Sequence, residues 1–331
     1  MQPIELTPWI RCYRIHAYMM NIVGIPYPDF QKYVLSNYLC LHNGKENIRR
    51  EYLDFHLENN FLNISDVFRD NTWFDIIQLR AFDCDNYNCL GEIKQIIVEM
   101  LEKGYYVLHK VNEVYLPHTA AYGGAAANNI NTLTCGYDDK SDVFFMLDYD
   151  GKGQFGISRV LCDDYLSSIA GVTVSNCLNF MQAKKNLTFQ FDLKKSLQLI
   201  KCYIFSENAY PNHDDYKNNI FGYEGVERTL NDMEKNGINM IRVRAIMEHK
   251  EILLKYMKYV TDHNCIDSSR YYNDYFVICK DMKGIFMKVL KKMITCEDRC
   301  DYRKEIDMIR QLNEVENHLL ERYLSEMNNF F

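Results

Sequence analysis

Three residues of this sequence could together carry nucleophilic chemistry: Cys12, His118 and Asp148. A cysteine thiolate is a strong nucleophile, an imidazole can take the thiol proton, and a carboxylate can orient that imidazole. Cys12 precedes a run whose apolar residues have helical spacing, and the N–H groups at a helix start stabilise a thiolate. Most cysteines are small buried core residues, however, and that role stays open for Cys12.

The elements that would position these residues are predicted from the spacing of apolar residues. A helix is expected over residues 15–23, since Gly24 and Pro26 end the run. Residues 105–150 hold three apolar runs separated by Pro117, a small-residue segment and the turn-forming pair Asp138-Asp139. Runs of Tyr, Val and Phe between turn formers are typical of an antiparallel meander. Asp148 ends the third run, so we expect it at a strand terminus.

The remaining pattern predicts an α+β domain followed by a helical domain. We expect a helix and turn over 66–79, a helix over 91–103, a fourth strand over 155–160 and a helix from 162, while residues 30–60 are compatible with helix or strand. From about residue 190 the apolar residues follow helical spacing almost throughout. The predicted domains are therefore residues 1–175 and 176–331.

Composition limits the function classes. The net charge of −7 argues against a nucleic-acid-binding protein, and no apolar run is long enough for a membrane span. The twelve cysteines are scattered and the amino terminus lacks a signal-peptide pattern, so we expect reduced thiols and a cytoplasmic location. The pairs Cys84/Cys89 and Cys296/Cys300 lack zinc-site spacing, so no metal site is predicted.

Several sequence segments resemble a known family. GYYVLHKVNEVYLP at 104–117 and GYDDKSDVFFMLDYDGKGQF at 136–155 are similar to consecutive strands of the butirosin-biosynthesis BtrH-like group. FGYEGVERTLNDM at 221–233 and the following helix at 242–260, with its Glu-His-Lys triplet, resemble the helical section of that group. The resemblance implies a papain-like fold with an antiparallel sheet and a carboxy-terminal helical domain. It spans most of the chain.

The resemblance also implies acyl transfer in natural-product assembly, as in nonribosomal peptide antibiotic pathways. An acyl or peptidyl group would arrive as a thioester on the phosphopantetheine of a carrier protein, without a bound cofactor in the enzyme. Cys12 would attack the thioester, and a small amine would then accept the acyl group to form an amide. Glu248 and His249 of the triplet would reach the substrate, and ion pairing on the helix surface is the alternative role for Glu248 and Lys250.

One position departs from the family pattern. Papain-like enzymes place the histidine about six residues before the glycine that is here Gly136, and that position holds Ile130 between Asn129 and Asn131. The segment 119–212 contains no histidine. His118 could supply the base, or it could be an exposed loop histidine without a catalytic role. Alternatively, the amine substrate could supply its own base, with Asn129 or Asn131 orienting it.

Two other functions stay open. One is a non-catalytic protein of the same fold that binds the carrier or the product, and the other is a cysteine peptidase or amidase, which uses water as the acceptor. In each case Tyr122, the one long side chain of the small-residue segment 120–129, is expected to contact the substrate.

Overall fold

The computed structural model describes residues 9–46, 50–58, 73–80, 87–174, 177–212, 216–263, 269–295 and 300–327. The chain is an α+β protein with antiparallel sheets and a helical carboxy-terminal region. It forms two compact units. The first unit comprises the described parts of Arg14–Pro28 and Ile64–Thr188, and the second comprises those of Trp9–Tyr13, Asp29–Asn63 and Phe189–Phe331. A simple division at residue 175 differs from this partition, because two amino-terminal segments belong with the carboxy-terminal helices.

The described helices are, in chain order, α1 (Arg14–Gly24), α2 (Phe30–Asn37), α3 (Tyr87–Glu102), α4 (Cys162–Ala170), α5 (Leu193–Phe205), α6 (Gly222–Asn236), α7 (Met240–Asp262), α8 (Ser269–Thr295) and α9 (Arg303–Met327). The described strands are β1 (Leu41–Glu46), β2 (Arg50–Phe55), β3 (Phe74–Arg80), β4 (Tyr106–Asn112), β5 (Asn129–Asp138), β6 (Val143–Tyr149), β7 (Phe155–Leu161), β8 (Cys177–Ala183) and β9 (Ile220–Phe221). A short 3₁₀ turn, Glu113–Tyr115, follows β4.

The first unit is built on a six-stranded sheet in the order β3-β8-β4-β5-β6-β7, with every neighbouring pair antiparallel. The meander predicted over 105–150 is confirmed as β4, β5 and β6. A β-bulge between Thr134 and Gly136 shifts the β5–β6 register. Apolar residues of the sheet, α3 and α4 form one buried cluster that includes Val107, Phe144 and Tyr165. This core fixes the end of β6, where Asp148 lies.

The predicted helix and turn over 66–79 is wrong for its final part. Phe74–Leu79 belongs to β3, which pairs with β8 from Phe74↔Ala183 to Arg80↔Cys177. A short apolar run of this length fits a sheet-edge strand as well as a helix, and pairing with β8 decides between them. Residues 66–72 lie outside the described part of the chain. The helices expected over 15–23, 91–103 and from 162, and the strand over 155–160, are confirmed as α1, α3, α4 and β7.

The second unit combines a three-stranded sheet, β2-β1-β9, with α2 and the helices α5 to α9. The ambiguous region 30–60 contains one helix and then two strands. In the sheet, His42 and Asn43 of β1 pair with Phe221 and Ile220 of β9, far along the chain. The helical pattern predicted after residue 190 is confirmed. None of the described helices is long and apolar enough to cross a membrane.

Most described cysteines are free thiols, as expected for a reducing environment: Cys12, Cys40, Cys89, Cys135, Cys162, Cys177, Cys202 and Cys279. Cys300 is the exception among the described residues, because it is disulfide-bonded. At this position the structure differs from the expectation of reduced thiols.

Candidate functional site

Asp148, the proposed orienting acid, lies at the end of β6 and is buried. Its Oδ1 is 2.5 Å from Nε of Arg14, the first residue of α1, and accepts the Tyr149 N–H at 2.7 Å. The same guanidinium donates through Nη2 to Glu113 Oε1 at 3.1 Å. Arg14 thus joins two carboxylates of the first unit, and Asp148 has a guanidinium partner in place of the expected imidazole.

The electrostatics of this cluster depend on burial. Burial raises the pKa of Asp148 to about 6, although Arg14 favours its charged form. Burial also raises the pKa of Glu113, against the opposing effect of Arg14. Glu113 Oε2 accepts a second bond from Asn128 Nδ2 at 2.5 Å, and the guanidinium carbon of Arg14 lies 5.6 Å from the ring centre of Tyr149. The guanidinium is therefore held from three sides.

His118, the proposed base of the predicted triad, is half-buried in the loop after Pro117. Neither of its ring nitrogens has a hydrogen-bond partner among the described residues. Burial lowers the pKa of His118, and the nearby Asp150 only partly offsets this effect. Its carbonyl oxygen accepts the Gly151 N–H at 2.7 Å. Burial therefore favours the neutral imidazole, the state that a general base requires.

The residues proposed to contact substrate around the small-residue loop have different environments. Asn129 is bonded to Thr173, with its Nδ2 donating to Thr173 Oγ1 at 2.7 Å. Asn131 lies within β5, and its backbone oxygen accepts the Tyr18 hydroxyl at 3.2 Å. Tyr122 is 57% exposed on the loop. Ile130, at the expected histidine position, pairs with Val111 of β4.

Cys12, the proposed nucleophile, belongs to the second unit and is buried, with 3% of its surface exposed. It precedes α1 by two residues. The N–H groups of Arg11 and Cys12 both donate to Oε2 of Glu248, at 2.8 and 2.9 Å, and the Cys12 thiol is itself hydrogen-bonded to this carboxylate. The Cys12 N–H, which would stabilise the oxyanion in a thiol-dependent acyl transfer, is therefore already bound to a carboxylate.

This environment disfavours the Cys12 thiolate. Burial raises the pKa of Cys12 well above its ordinary value, and the carboxylates of Glu248 and Asp54 raise it further. The outcome differs from the thiolate stabilisation expected for a helix start, because burial and two carboxylates outweigh a helix dipole. Burial likewise raises the pKa of Glu248, against its hydrogen bonds with Arg11 and Cys12.

The triplet Glu248-His249-Lys250 on α7 is buried throughout, so the alternative of surface ion pairing is wrong. Each residue has its own partner in the second unit. Glu248 binds the Cys12 segment, His249 Nε2 lies 3.1 Å from the backbone oxygen of Leu39, and Lys250 Nζ lies 2.5 Å from Oε2 of Glu316. Burial lowers the pKa of His249 to about 4, so this imidazole is neutral.

Glu316 of α9 is the centre of a polar cluster that the sequence did not reveal. Its carboxylate pairs with Lys250 and accepts the hydroxyls of Tyr203, Tyr223 and Tyr275. Burial alone would raise the pKa of Glu316, but Lys250 and His249 lower it below its ordinary value. A buried ion pair is tolerated in a core when further hydrogen bonds offset the loss of hydration, and the three tyrosine hydroxyls supply such bonds to Glu316.

The predicted residues are divided between the two units. Asp148, His118, Asn129, Asn131 and Tyr122 belong to the first unit, whereas Cys12, Glu248 and His249 belong to the second. Among the described residues, no three His, Cys, Asp or Glu side chains are grouped so that they could hold a metal ion. No protein-family model matches the chain, and no curated protein sequence matches it.

Proposed function

We propose that this chain is a non-catalytic protein of papain-like architecture that binds a carrier-borne acyl or peptidyl group, or the product made from it. The observation that carries the proposal is the pairing of Asp148 with Arg14 at 2.5 Å. In a thiol triad the carboxylate orients an imidazole, which in turn activates the sulfur. A guanidinium stays protonated in proteins and cannot act as that base.

The cost of restoring a triad supports the same conclusion. An imidazole that took the place of Arg14 at Oδ1 of Asp148 would have to break a largely buried ion pair, at a cost of about 3–5 kcal/mol. Arg14 is also bound to Glu113, so its withdrawal would leave a second largely buried carboxylate without its cation. The segment 119–212 offers no histidine for the vacated place.

A second candidate function is thiol-dependent acyl transfer, and the contact between Glu248 and the Cys12 thiol favours it. Glu248 would take the thiol proton, and the Cys12 sulfur would attack the thioester carbonyl and release the phosphopantetheine thiol. An amine would then attack the acyl-cysteine, giving an amide and returning Cys12 to its thiol. With water as acceptor, the same steps describe a cysteine peptidase or amidase.

The proton affinities rank this second candidate below the first. From ordinary pKa values of 9.0 for cysteine and 4.5 for glutamate, moving the proton from Cys12 to Glu248 costs about 6 kcal/mol. The raised pKa of Glu248 narrows this gap, and the raised pKa of Cys12 widens it. A catalytic base is most effective when its pKa lies near the operating pH. Such a match would not remove the free-energy cost of moving the proton from Cys12 to Glu248.

The decisive experiment combines binding with intact-protein mass spectrometry. An acyl-loaded carrier protein is incubated with the wild-type chain and with Cys12→Ala, and Cys202→Ala serves as a control that removes another buried thiol of the second unit. We expect saturable binding to all three proteins, no mass added to Cys12, and no amide when amines are supplied.

Other results would refute the proposal in distinct ways. An acyl adduct on wild type and Cys202→Ala that is absent from Cys12→Ala would establish acyl transfer. Release of free acid, again dependent on Cys12, would establish a hydrolase. Absence of carrier binding by the wild-type chain would exclude both the binding protein and the transferase.

A further inference from the structure

The outward side of α8 in the second unit carries an unusual mixture of apolar and basic side chains. Phe276 and Met287 are 51% and 54% exposed, and Ile294, near the end of the helix, is 75% exposed. Lysines lie between them at helical spacing, so that apolar and basic groups occupy one stripe about 27 Å long. We define the lysine face as Phe276, Lys280, Lys283, Met287, Lys291 and Ile294.

The lysine face carries three positive charges. Lys280, Lys283 and Lys291 are exposed, and none forms an ion pair within the described part of the chain. The neighbouring Lys288 is exposed as well, and the exposed Asp281 lies beside the face. This basic surface occurs in a chain whose net charge is −7, so it is opposite in sign to the protein as a whole.

The opposite side of α8 explains why the exposed apolar residues are not needed for folding. Its buried residues, among them Tyr275, Met282 and Val289, already pack into the second unit, where α8 contacts α7 and α9. Large exposed apolar groups surrounded by charge are typical of interaction surfaces, because the apolar groups are buried on binding and the charges select the partner.

We propose that the lysine face is the docking surface for an acidic carrier protein. The proposal rests on the carrier binding proposed above and assigns it to a surface. Carboxylates of the carrier would pair with Lys280, Lys283 and Lys291, while Met287 and Ile294 would lie against apolar residues of the carrier. Opposite charges of this kind steer association and set the register of the two proteins.

The test measures the affinity of a fluorescently labelled acidic acyl carrier protein, carrying phosphopantetheine, for three forms of the chain. The forms are wild type, K283E/K291E, and the control K194E/K201E, which makes the same charge change at exposed lysines of α5. We expect K283E/K291E to weaken binding at least tenfold at low ionic strength and K194E/K201E to change it less than twofold. The difference should shrink as salt screens the charges.

A second variant, M287S/I294S, separates apolar contact from charge. It should weaken binding several-fold while leaving the dependence on salt unchanged, and both side chains are exposed, so folding should be unaffected. Unchanged binding by this variant would remove the apolar part of the proposal.

The remaining outcomes distinguish this proposal from the proposed function. If wild type and both charge variants bind the carrier equally, the docking surface is elsewhere and carrier binding stands. If wild type does not bind the carrier, both proposals fail. Binding to phosphatidylserine vesicles in place of the carrier, lost in K283E/K291E, would overturn the carrier assignment and identify an anionic membrane surface as the partner.

Discussion

Replacing Glu248 with glutamine distinguishes a carboxylate that suppresses the Cys12 thiolate from one that acts as its base. Glutamine keeps an oxygen that can accept the N–H groups of Arg11 and Cys12, which now bind Oε2 at 2.8 and 2.9 Å. It removes the negative charge beside the sulfur. Since these bonds would change from charge-assisted to neutral, the free energy of unfolding should fall by about 1–2 kcal/mol.

The effect on the thiol follows from the causes of its raised pKa. Burial is the largest cause and remains in Glu248→Gln, while the effect of the Glu248 charge disappears. A neighbouring like charge commonly shifts a pKa by about one unit or more, so the Cys12 pKa should fall by about one unit and stay above its ordinary value. At a fixed pH below both pKa values, the thiolate fraction should then rise about tenfold.

The assay follows alkylation of Cys12 by iodoacetamide at pH 8, below both pKa values, with the product located by peptide mass spectrometry. The rate should rise about tenfold in Glu248→Gln. Glu251→Gln, three residues along the same helix, is the matched control and should keep the wild-type rate. Amide hydrogen exchange of the Cys12 segment, measured alongside, separates a changed pKa from easier opening of the structure, because easier opening would speed exchange as well as alkylation.

A slower alkylation of Glu248→Gln than of wild type would refute this reasoning, because it would mean that the carboxylate activates the sulfur. An unchanged alkylation rate would mean that Glu248 has no electrostatic effect on the thiol.

Three further changes test other parts of the structure. Burial raises the pKa of Asp148 to about 6 from an ordinary 3.8, so the folded protein retains a proton that the unfolded chain releases. The contribution of this group should therefore lower the free energy of unfolding by about 3 kcal/mol as pH rises from about 4 to 7. Urea titrations should show that contribution absent from Asp148→Asn, and identical pH slopes would contradict it. Lys250→Met should lower the free energy of unfolding by about 3–5 kcal/mol, since it leaves Glu316 buried without its cation. In a double-mutant cycle, adding Glu316→Gln should recover part of this loss. A loss below about 1 kcal/mol in Lys250→Met would contradict a buried ion pair. Gly222→Ala should unfold or strongly destabilise the chain, because the φ of Gly222 is +54° and a Cβ there would lie 2.0 Å from the Tyr203 carbonyl oxygen. Gly284 of α8 has open space around it, so the control Gly284→Ala should raise the melting temperature slightly.

The sequence predicted the parts of the fold that depend on local contacts. The meander of β4, β5 and β6 joins strands that follow one another, so strand length and turn residues were sufficient to identify it. The few apolar residues of Phe74–Leu79 fit the period of a helix as well as that of a strand, and only the pairing with β8, about a hundred residues later, decides between them.

Site residues were harder to place because the important contacts join distant parts of the chain. Arg14 has no sequence feature that links it to Asp148, and a charged residue at the start of a helix is normally expected to face solvent. The triplet at 248–250 did carry a signal, since apolar residues surround it on every side of α7, and a helix that is apolar all round is buried. Polar residues at its centre should therefore have been expected to have buried partners.

The pairing of β1 with β9 has a consequence for how the protein is made. Asn43 leaves the ribosome roughly 180 residues before Ile220, its partner, which at about 5–20 residues per second is a delay of roughly 10–35 s. During that interval the edge of β1 that β9 later covers is unpaired, while the meander can already form. A nascent chain halted before β9 would therefore expose a strand edge able to pair with other chains, and neither half of the gene should yield a stable protein when expressed alone.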